Sequence, residues 1–189
     1  VEEIIRHNPD VVVIVDEAYV DFGAESALKL VEKYENLLVV QTFSKSRSMA
    51  GMRIGYAMAQ PELIKYLNDV KYSFNSYTLN SLTIEMGTAA ILDEAYFKET
   101  TQKIIATRER TKEALRTLGY RMDDSKSNFL FVTHDTISME KLFEDLKKKD
   151  IYVRHFSKPE RIANYLRITI GTDEEMDTLI TFLKNYKQS

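Results

Sequence analysis

The sequence predicts an α/β protein: a mostly parallel sheet with helices, then a smaller α+β unit beginning near residue 99. Three observations carry this. Val11-Val12-Val13-Ile14-Val15 is a β-branched run of strand length with no polar alternation, the pattern of a strand covered on both faces. Strand, helix and strand follow one another between Val11 and Phe43, an order that favours a right-handed parallel crossover. After Gly119 short strands and helices replace the long helical stretch before it.

Each element has its own signal. Ser26 to Tyr34 reads as a short amphipathic helix carrying Leu28, Leu30 and Val31. Leu37 to Phe43 and Ile54 to Ala59 are apolar strands, separated by a loop of small and basic residues from Ser44 to Gly51. Pro61 suits a first helical turn, with Leu63, Ile64 and Leu67 on one face. Leu79 to Leu92 and Tyr96 to Leu118 also read as helices, the second strongly charged and stopped by Gly119. Phe129 to Val132, Ile151 to Arg154 and Tyr165 to Ile170 are the later strands. Ser138 caps a helix to Lys149, and an acidic first turn opens a closing helix from Asp173 to Tyr186. The expected division is 1–98 and 99–189, with the long charged helix as connector.

Composition narrows the classes. Among 189 residues the net charge is -3, which argues against nucleic-acid binding driven by basic charge. There is no cysteine in the sequence, so it holds no disulfide framework, thiol nucleophile or Cys-based zinc site. No apolar run reaches the ~18 residues of a membrane span, and no signal-peptide pattern opens the chain, so the expectation is a cytoplasmic protein without membrane contact. His7, His134 and His155 show no metal-ligand spacing. The chain also opens without methionine, ten residues ahead of its first apolar strand, as a piece of a longer protein would.

Two constellations stand where chemistry is expected. Asp16-Glu17 follows the first strand directly, and open parallel sheets bind ligands beyond the carboxyl ends of their strands. An acidic turn explains the pair too, as does a Walker B strand holding Mg²⁺, although no G-x-x-x-x-G-K-[ST] loop accompanies it. The second constellation is Thr42-Phe43-Ser44-Lys45, again at a strand's carboxyl end, followed by Ala50-Gly51-Met52-Arg53. One strand-helix-strand crossover separates Asp16 from Lys45, so neighbouring strands can bring them into one pocket. Lysine occurs sixteen times, so a surface role for Lys45 competes evenly with a functional one.

Together these segments change the reading. Asp16-Glu17-Ala18-Tyr19, Thr42-Phe43-Ser44-Lys45 and Ala50-Gly51-Met52-Arg53-Ile54-Gly55-Tyr56 resemble the fold-type I aminotransferases that use pyridoxal 5'-phosphate (PLP). Ile151-Tyr152-Val153-Arg154 and Tyr165-Leu166-Arg167-Ile168-Thr169-Ile170-Gly171-Thr172 resemble the two arginine segments of the histidinol-phosphate aminotransferase branch. The resemblance runs over essentially the whole chain but corresponds only to the C-terminal half of such enzymes. It implies part of the large PLP-binding domain, followed by the small domain.

The resemblance further implies roles. Lys45 would carry the cofactor covalently and act as the catalytic base. Asp16 would pair with its ring nitrogen and Tyr19 would contact its phenolic oxygen. Thr42, Ser44 and Arg53 would hold its phosphate. Arg167 would bind the anionic end of the substrate, Arg154 would be a second phosphate contact, and Asn128 would touch substrate or orient the arginine. The implied partners are a small-molecule amino donor, a 2-oxo acid and a second copy of the full-length protein. Ser46-Arg47-Ser48-Met49 and the segment from Lys71 to Tyr77 depart from the family's usual residues. Aromatic aminotransferases and PLP-dependent amino-acid phosphate decarboxylases share nearly all of these motifs, and a non-catalytic interaction module on the same scaffold remains a rival.

Overall fold

The β-branched run pairs only from its third residue: β1 is Val13–Asp16, while Val11 and Val12 are exposed. The computed structural model describes residues 1–186 and divides between Thr100 and Thr101 into two units. In the first unit β2 (Leu37–Thr42) lies between β1 and β3 (Gly55–Ala59). β1 and β2 are parallel from Val13 opposite Leu37 to Asp16 opposite Val40. β3 is antiparallel to β2, which corrects the expectation of a mostly parallel sheet. The reason is the connection: residues 43–54 contain only a short 3₁₀ turn, Ala50–Met52, and no helix to carry the chain back to the other end of the sheet.

One face of this sheet carries the core. Leu37 and Val39 are fully buried with Ile5 of α1 (Glu2–Arg6), and Val13, Val15, Leu30, Tyr34 and Met58 pack around them. On the opposite face Leu38 is buried, but Ile14, directly opposite it on β1, is 62% exposed. The first strand is therefore not covered on both faces, despite its uniformly apolar composition. The predicted helix at 26–34 is also corrected. Only Ala27–Leu30 forms, as a 3₁₀ turn capped by the Ser26 hydroxyl, with the Ser26 side chain and the Ala27 N–H held by the Glu17 carboxylate.

α2 (Pro61–Phe74) begins with proline at its first turn, and Leu63 and Ile64 are half-buried while Leu67 is exposed. α3 (Ser81–Leu92) starts where the Asn80 side chain accepts the Thr83 N–H. Gly87 lets α3 approach the sheet, since a Cβ there would stand 2.8 Å from Ile54 Cδ1. α4 (Glu94–Thr117) contains the boundary between the units.

In the second unit Gly119, at φ 86°, ends α4 in the left-handed conformation that glycine adopts without strain. The sheet that follows has the order β4 (Arg121–Met122), β5 (Phe129–Thr133), β7 (Leu166–Thr169), β6 (Arg154–His155), with every pair antiparallel. The strand expected at 151–154 pairs only at Arg154 and His155. α5 (Met139–Lys147) and α6 (Asp173–Asn185) complete the unit. Leu130, Val132, Leu166 and Ile168 point to a core shared with Leu142, Leu146, Leu179 and Leu183. Thr172 and Glu175 form a capping box at α6, so Glu175 does more there than complement the helix dipole.

Candidate functional site

Because β1 and β2 are parallel, Asp16 and Thr42 leave the sheet at the same edge, and Gly55 stands directly opposite Thr42. Side chains alternate across a strand, so Asp16, Thr42 and Gly55 share one face while Gln41 and Tyr56 share the other. Asp16 is exposed, and its Oδ1 accepts the Ala18 N–H at 3.0 Å. Glu17 turns to the opposite face and is 8% exposed. Its carboxylate accepts from Ser26 Oγ at 2.7 Å, the Ala27 N–H at 2.6 Å and Gln41 Nε2 at 2.8 Å. The two carboxylates thus do not act as a pair, which removes the geometry a Walker B reading requires.

The loop after β2 is held from several directions. The Phe43 N–H donates to Ile54 O at 3.1 Å, and the Met49 N–H donates to Phe43 O at 3.0 Å. Ser46 is buried with its hydroxyl on Asp21, while Arg47 donates to Ala90 O and stacks 4.2 Å from the Phe97 ring centroid. The departure at Ser46-Arg47-Ser48-Met49 is therefore loop packing. Thr42 Oγ1 donates to Ile54 O at 3.1 Å, lies 2.9 Å from Ser44 Oγ and accepts the Ser44 N–H at 3.1 Å.

This framework leaves Lys45 exposed, with its ammonium 5.7 Å from the Tyr19 ring centroid. Arg53 sits at φ 57°, a conformation that costs a non-glycine residue about 1 kcal/mol or more, and donates to Ala50 O at 2.8 Å. Neither Lys45 nor Arg53 has a carboxylate partner among the described residues. Two cations and two hydroxyls thus gather at the edge where Asp16 also stands, neither cation in an ion pair with it. Tyr56, on the other face, donates to Gln41 Oε1 at 2.6 Å; its burial and then the nearby Asp21 charge push its phenol pKa up.

The second set lies in the other unit. Arg154 and Arg167 stand directly opposite each other on β6 and β7, and Phe131 stands opposite Arg167 on β5. All three side chains therefore lie on the face turned away from the core. The guanidinium of Arg167 lies 5.4 Å from the Phe129 ring centroid, and its Nε is buried without a hydrogen-bond partner. The guanidinium of Arg154 lies 5.5 Å from the Phe156 ring centroid. Like charges directly opposite each other destabilise a sheet, so this pair favours a bound anion. Asn128 is half-buried at the start of β5, where its carbonyl accepts the Ile170 N–H at 2.9 Å.

Several supporting residues escaped the sequence reading. Arg108, 1% exposed on α4, donates to Ser127 O at 2.8 Å and so fixes the loop leading to Asn128. Its neighbour one turn on, Lys112, bonds Asp124 at 2.7 Å, which raises the lysine pKa and lowers that of the aspartate. Their i, i+4 spacing is the available signal, hidden because α4 is charged all round. Glu17 was singled out only as half of the Asp16-Glu17 pair, and Gln41 gave no signal beyond adjacency to Thr42. Of the histidines, His155 Nε2 lies 2.7 Å from Ala163 O and its ring stacks on Phe143. His134 packs edge-on to Tyr120, and His7 Nδ1 lies 2.7 Å from Glu3 O.

Residues 1–183 match the family model described as aminotransferase class I and II. The histidinol-phosphate aminotransferase of Brachyspira hyodysenteriae is 57% identical over 184 residues, 97% of this chain and 52% of that protein. That of Lactococcus lactis subsp. cremoris is 53% identical over 186 residues, 98% of this chain and 52% of that one. The chain thus spans about half the length of the curated relatives it matches. The crystal structure of histidinol-phosphate aminotransferase from Sinorhizobium meliloti in complex with pyridoxal-5'-phosphate shares the fold. Its TM-score is 0.82 at 24% identity, covering 96% of this chain and 51% of that one. Among the described residues no helix is long and apolar enough to cross a membrane.

Proposed function

We propose, since the chain belongs to the class I and II aminotransferase family, that it is the lysine-bearing part of a PLP-dependent aminotransferase. Its substrates would be histidinol phosphate as amino donor and 2-oxoglutarate as acceptor. The first unit would belong to the large PLP-binding domain and the second would be the small domain. A second copy of the full-length protein would complete the active assembly. The observation that carries this reading is the donor set at the strand ends: Lys45 near the Tyr19 ring, and Arg53 with Thr42 and Ser44, with neither cation in an ion pair with a carboxylate.

That set fits the cofactor. Its phosphate needs cationic and hydroxyl donors, its aldehyde an amine, and its pyridine nitrogen an anion. Arg53 spends one donor on Ala50 and keeps the rest of its fork for a phosphate. Thr42 positions the Ser44 hydroxyl and backbone at the same turn. Asp16 offers an exposed carboxylate that stabilises a protonated ring nitrogen by charge pairing. When bound, PLP supplies the electron sink for bond breaking at the substrate's α-carbon.

Lys45 would attach the cofactor and, once released, carry a proton to and from that carbon. Tyr19 would donate to the phenolic oxygen. Arg167, with Arg154 opposite it, would take the phosphate of one substrate and the carboxylate of the other, with Asn128 orienting the group. Burial of the Arg167 Nε without a partner makes this site incomplete until an anion arrives.

The test is borohydride reduction of the gene's full-length product with PLP, read by intact mass and peptide mapping, beside Lys45→Ala. One pyridoxyl adduct at Lys45 that the variant lacks is expected. No adduct on the full-length protein overturns the reading in favour of a non-catalytic module.

A further inference from the structure

Adjacent residues at the end of β1 divide two tasks between two faces. Asp16 points to the open face and accepts one side-chain hydrogen bond, from Ala18 at 3.0 Å. Glu17 points into the unit and accepts three. Its own N–H donates to Val40 O at 2.8 Å, continuing the ladder past Asp16.

The polar row does not stop there. Gln41 passes from Glu17 to Tyr56, whose hydroxyl donates to Gln41 Oε1 at 2.6 Å. The row therefore runs from the residue after β1 across β2 to β3 on the face that carries the core, exposed at its Tyr56 end, and the Ser26-Ala27 turn closes its far end. Each member is one residue away from a member of the open-face row: Glu17 from Asp16, Gln41 from Thr42, Tyr56 from Gly55.

We infer that Glu17, which faces away from the site, is a positioning residue that fixes the Asp16 carboxylate through the Glu17–Gln41–Tyr56 row. This rests on the PLP reading, in which Asp16 is the ring-nitrogen partner. The physical argument is one of constraint. The Asp16 side chain is oriented by the Ala18 N–H, and Ala18 follows Glu17 directly. With the Glu17 carboxylate removed, the Ser26, Ala27 and Gln41 donors lose their shared acceptor. The peptide between Glu17 and Ala18 is then no longer tied to β2 or to the 26–27 turn by that side chain. The charge itself is secondary. In Glu17→Gln the new amide can donate to Ser26 and to a reversed Gln41 amide, with Tyr56 becoming the acceptor at the end of the row.

The experiment is a double-mutant cycle on the PLP dissociation constant of the full-length protein, read by absorbance without turnover. Loss of one anchored charge-assisted contact corresponds to about a tenfold rise in Kd for Glu17→Leu. Glu17→Gln should stay within about threefold, since the row survives reversal. The decisive arm is Asp16→Ala: in that background Glu17→Leu should have an effect below about twofold, since the residue through which it acts is gone. An equal effect in both backgrounds shows general loosening of the sheet and overturns the inference, as does an unchanged Kd in Glu17→Leu. If Glu17→Leu does not fold, Gln41→Leu takes its place, cutting the row while leaving the Ser26 and Ala27 bonds intact, and the same two outcomes decide. A parent protein that binds no PLP overturns the cofactor reading and this inference with it, a result distinct from additivity in a parent that binds.

Discussion

Replacing Arg108 with methionine tests how the second unit holds Asn128 in place. Methionine keeps most of the stem volume, so the change isolates the guanidinium. Arg108 donates to Ser127 O at 2.8 Å and to Glu109 Oε1 at 3.0 Å. The Glu109 side chain is 41% exposed and regains water when the arginine is removed, so little cost arises there. The Ser127 carbonyl, beneath a residue 1% exposed, loses its donor, which costs about 1–3 kcal/mol. Hydrogen exchange across residues 119–133 should accordingly speed up by about 5- to 160-fold at 1.36 kcal/mol per decade. Exchange over α6 should change less. If the 119–133 segment keeps its parental protection in Arg108→Met, the clamp is not what orders this loop and the reasoning fails.

Three further outcomes follow from the same geometry. Burial pushes the Tyr120 phenol up to about 12 from 10.0, so the folded state binds a proton that the unfolded state releases. Stability should therefore fall as pH rises from about 10 towards 12, and Tyr120→Phe should flatten that limb in alkaline denaturation. Hydrogen bonds from Lys112 and then Lys126 lower the pKa of Asp124 below its ordinary 3.8, so its contribution holds above that value and is lost as pH falls through the folded value. Asp124→Asn should remove this acid dependence when melting is followed from pH 6 downward. Leu130, at 0% exposed in the second core, should cost about 2–5 kcal/mol as alanine, and a shift under 1 kcal/mol in urea would contradict its place there.

Much of the candidate site was legible because its chemistry lies in contiguous segments. Asp16 to Tyr19, Thr42 to Lys45 and Ala50 to Tyr56 each keep their residue order, and a strand's carboxyl end is a local property that an apolar run followed by polar residues discloses. The family followed from those segments, and so did the helices at 61–74 and 94–117, whose proline and glycine punctuation is local too. The failures share a cause. The 26–34 segment has helical spacing, but it is short and its first turn is held by Glu17, nine and ten residues upstream. The antiparallel return of β3 depends on what residues 43–54 omit, a crossover, which apolar patterning alone does not reveal.

What the sequence determined by itself was therefore the family and the order of the segments that carry the candidate groups. The tertiary structure decided which face each one serves. Asp16 and Glu17 are neighbours with the same charge, and only the register of β1 on β2 sends one to the open edge and buries the other under three hydrogen bonds. Arg154 and Arg167 are thirteen positions apart, and only antiparallel pairing sets them opposite each other with no acid between. Strand alternation is local, but the choice of buried face is made by the packing of distant residues, and that choice separates support from site.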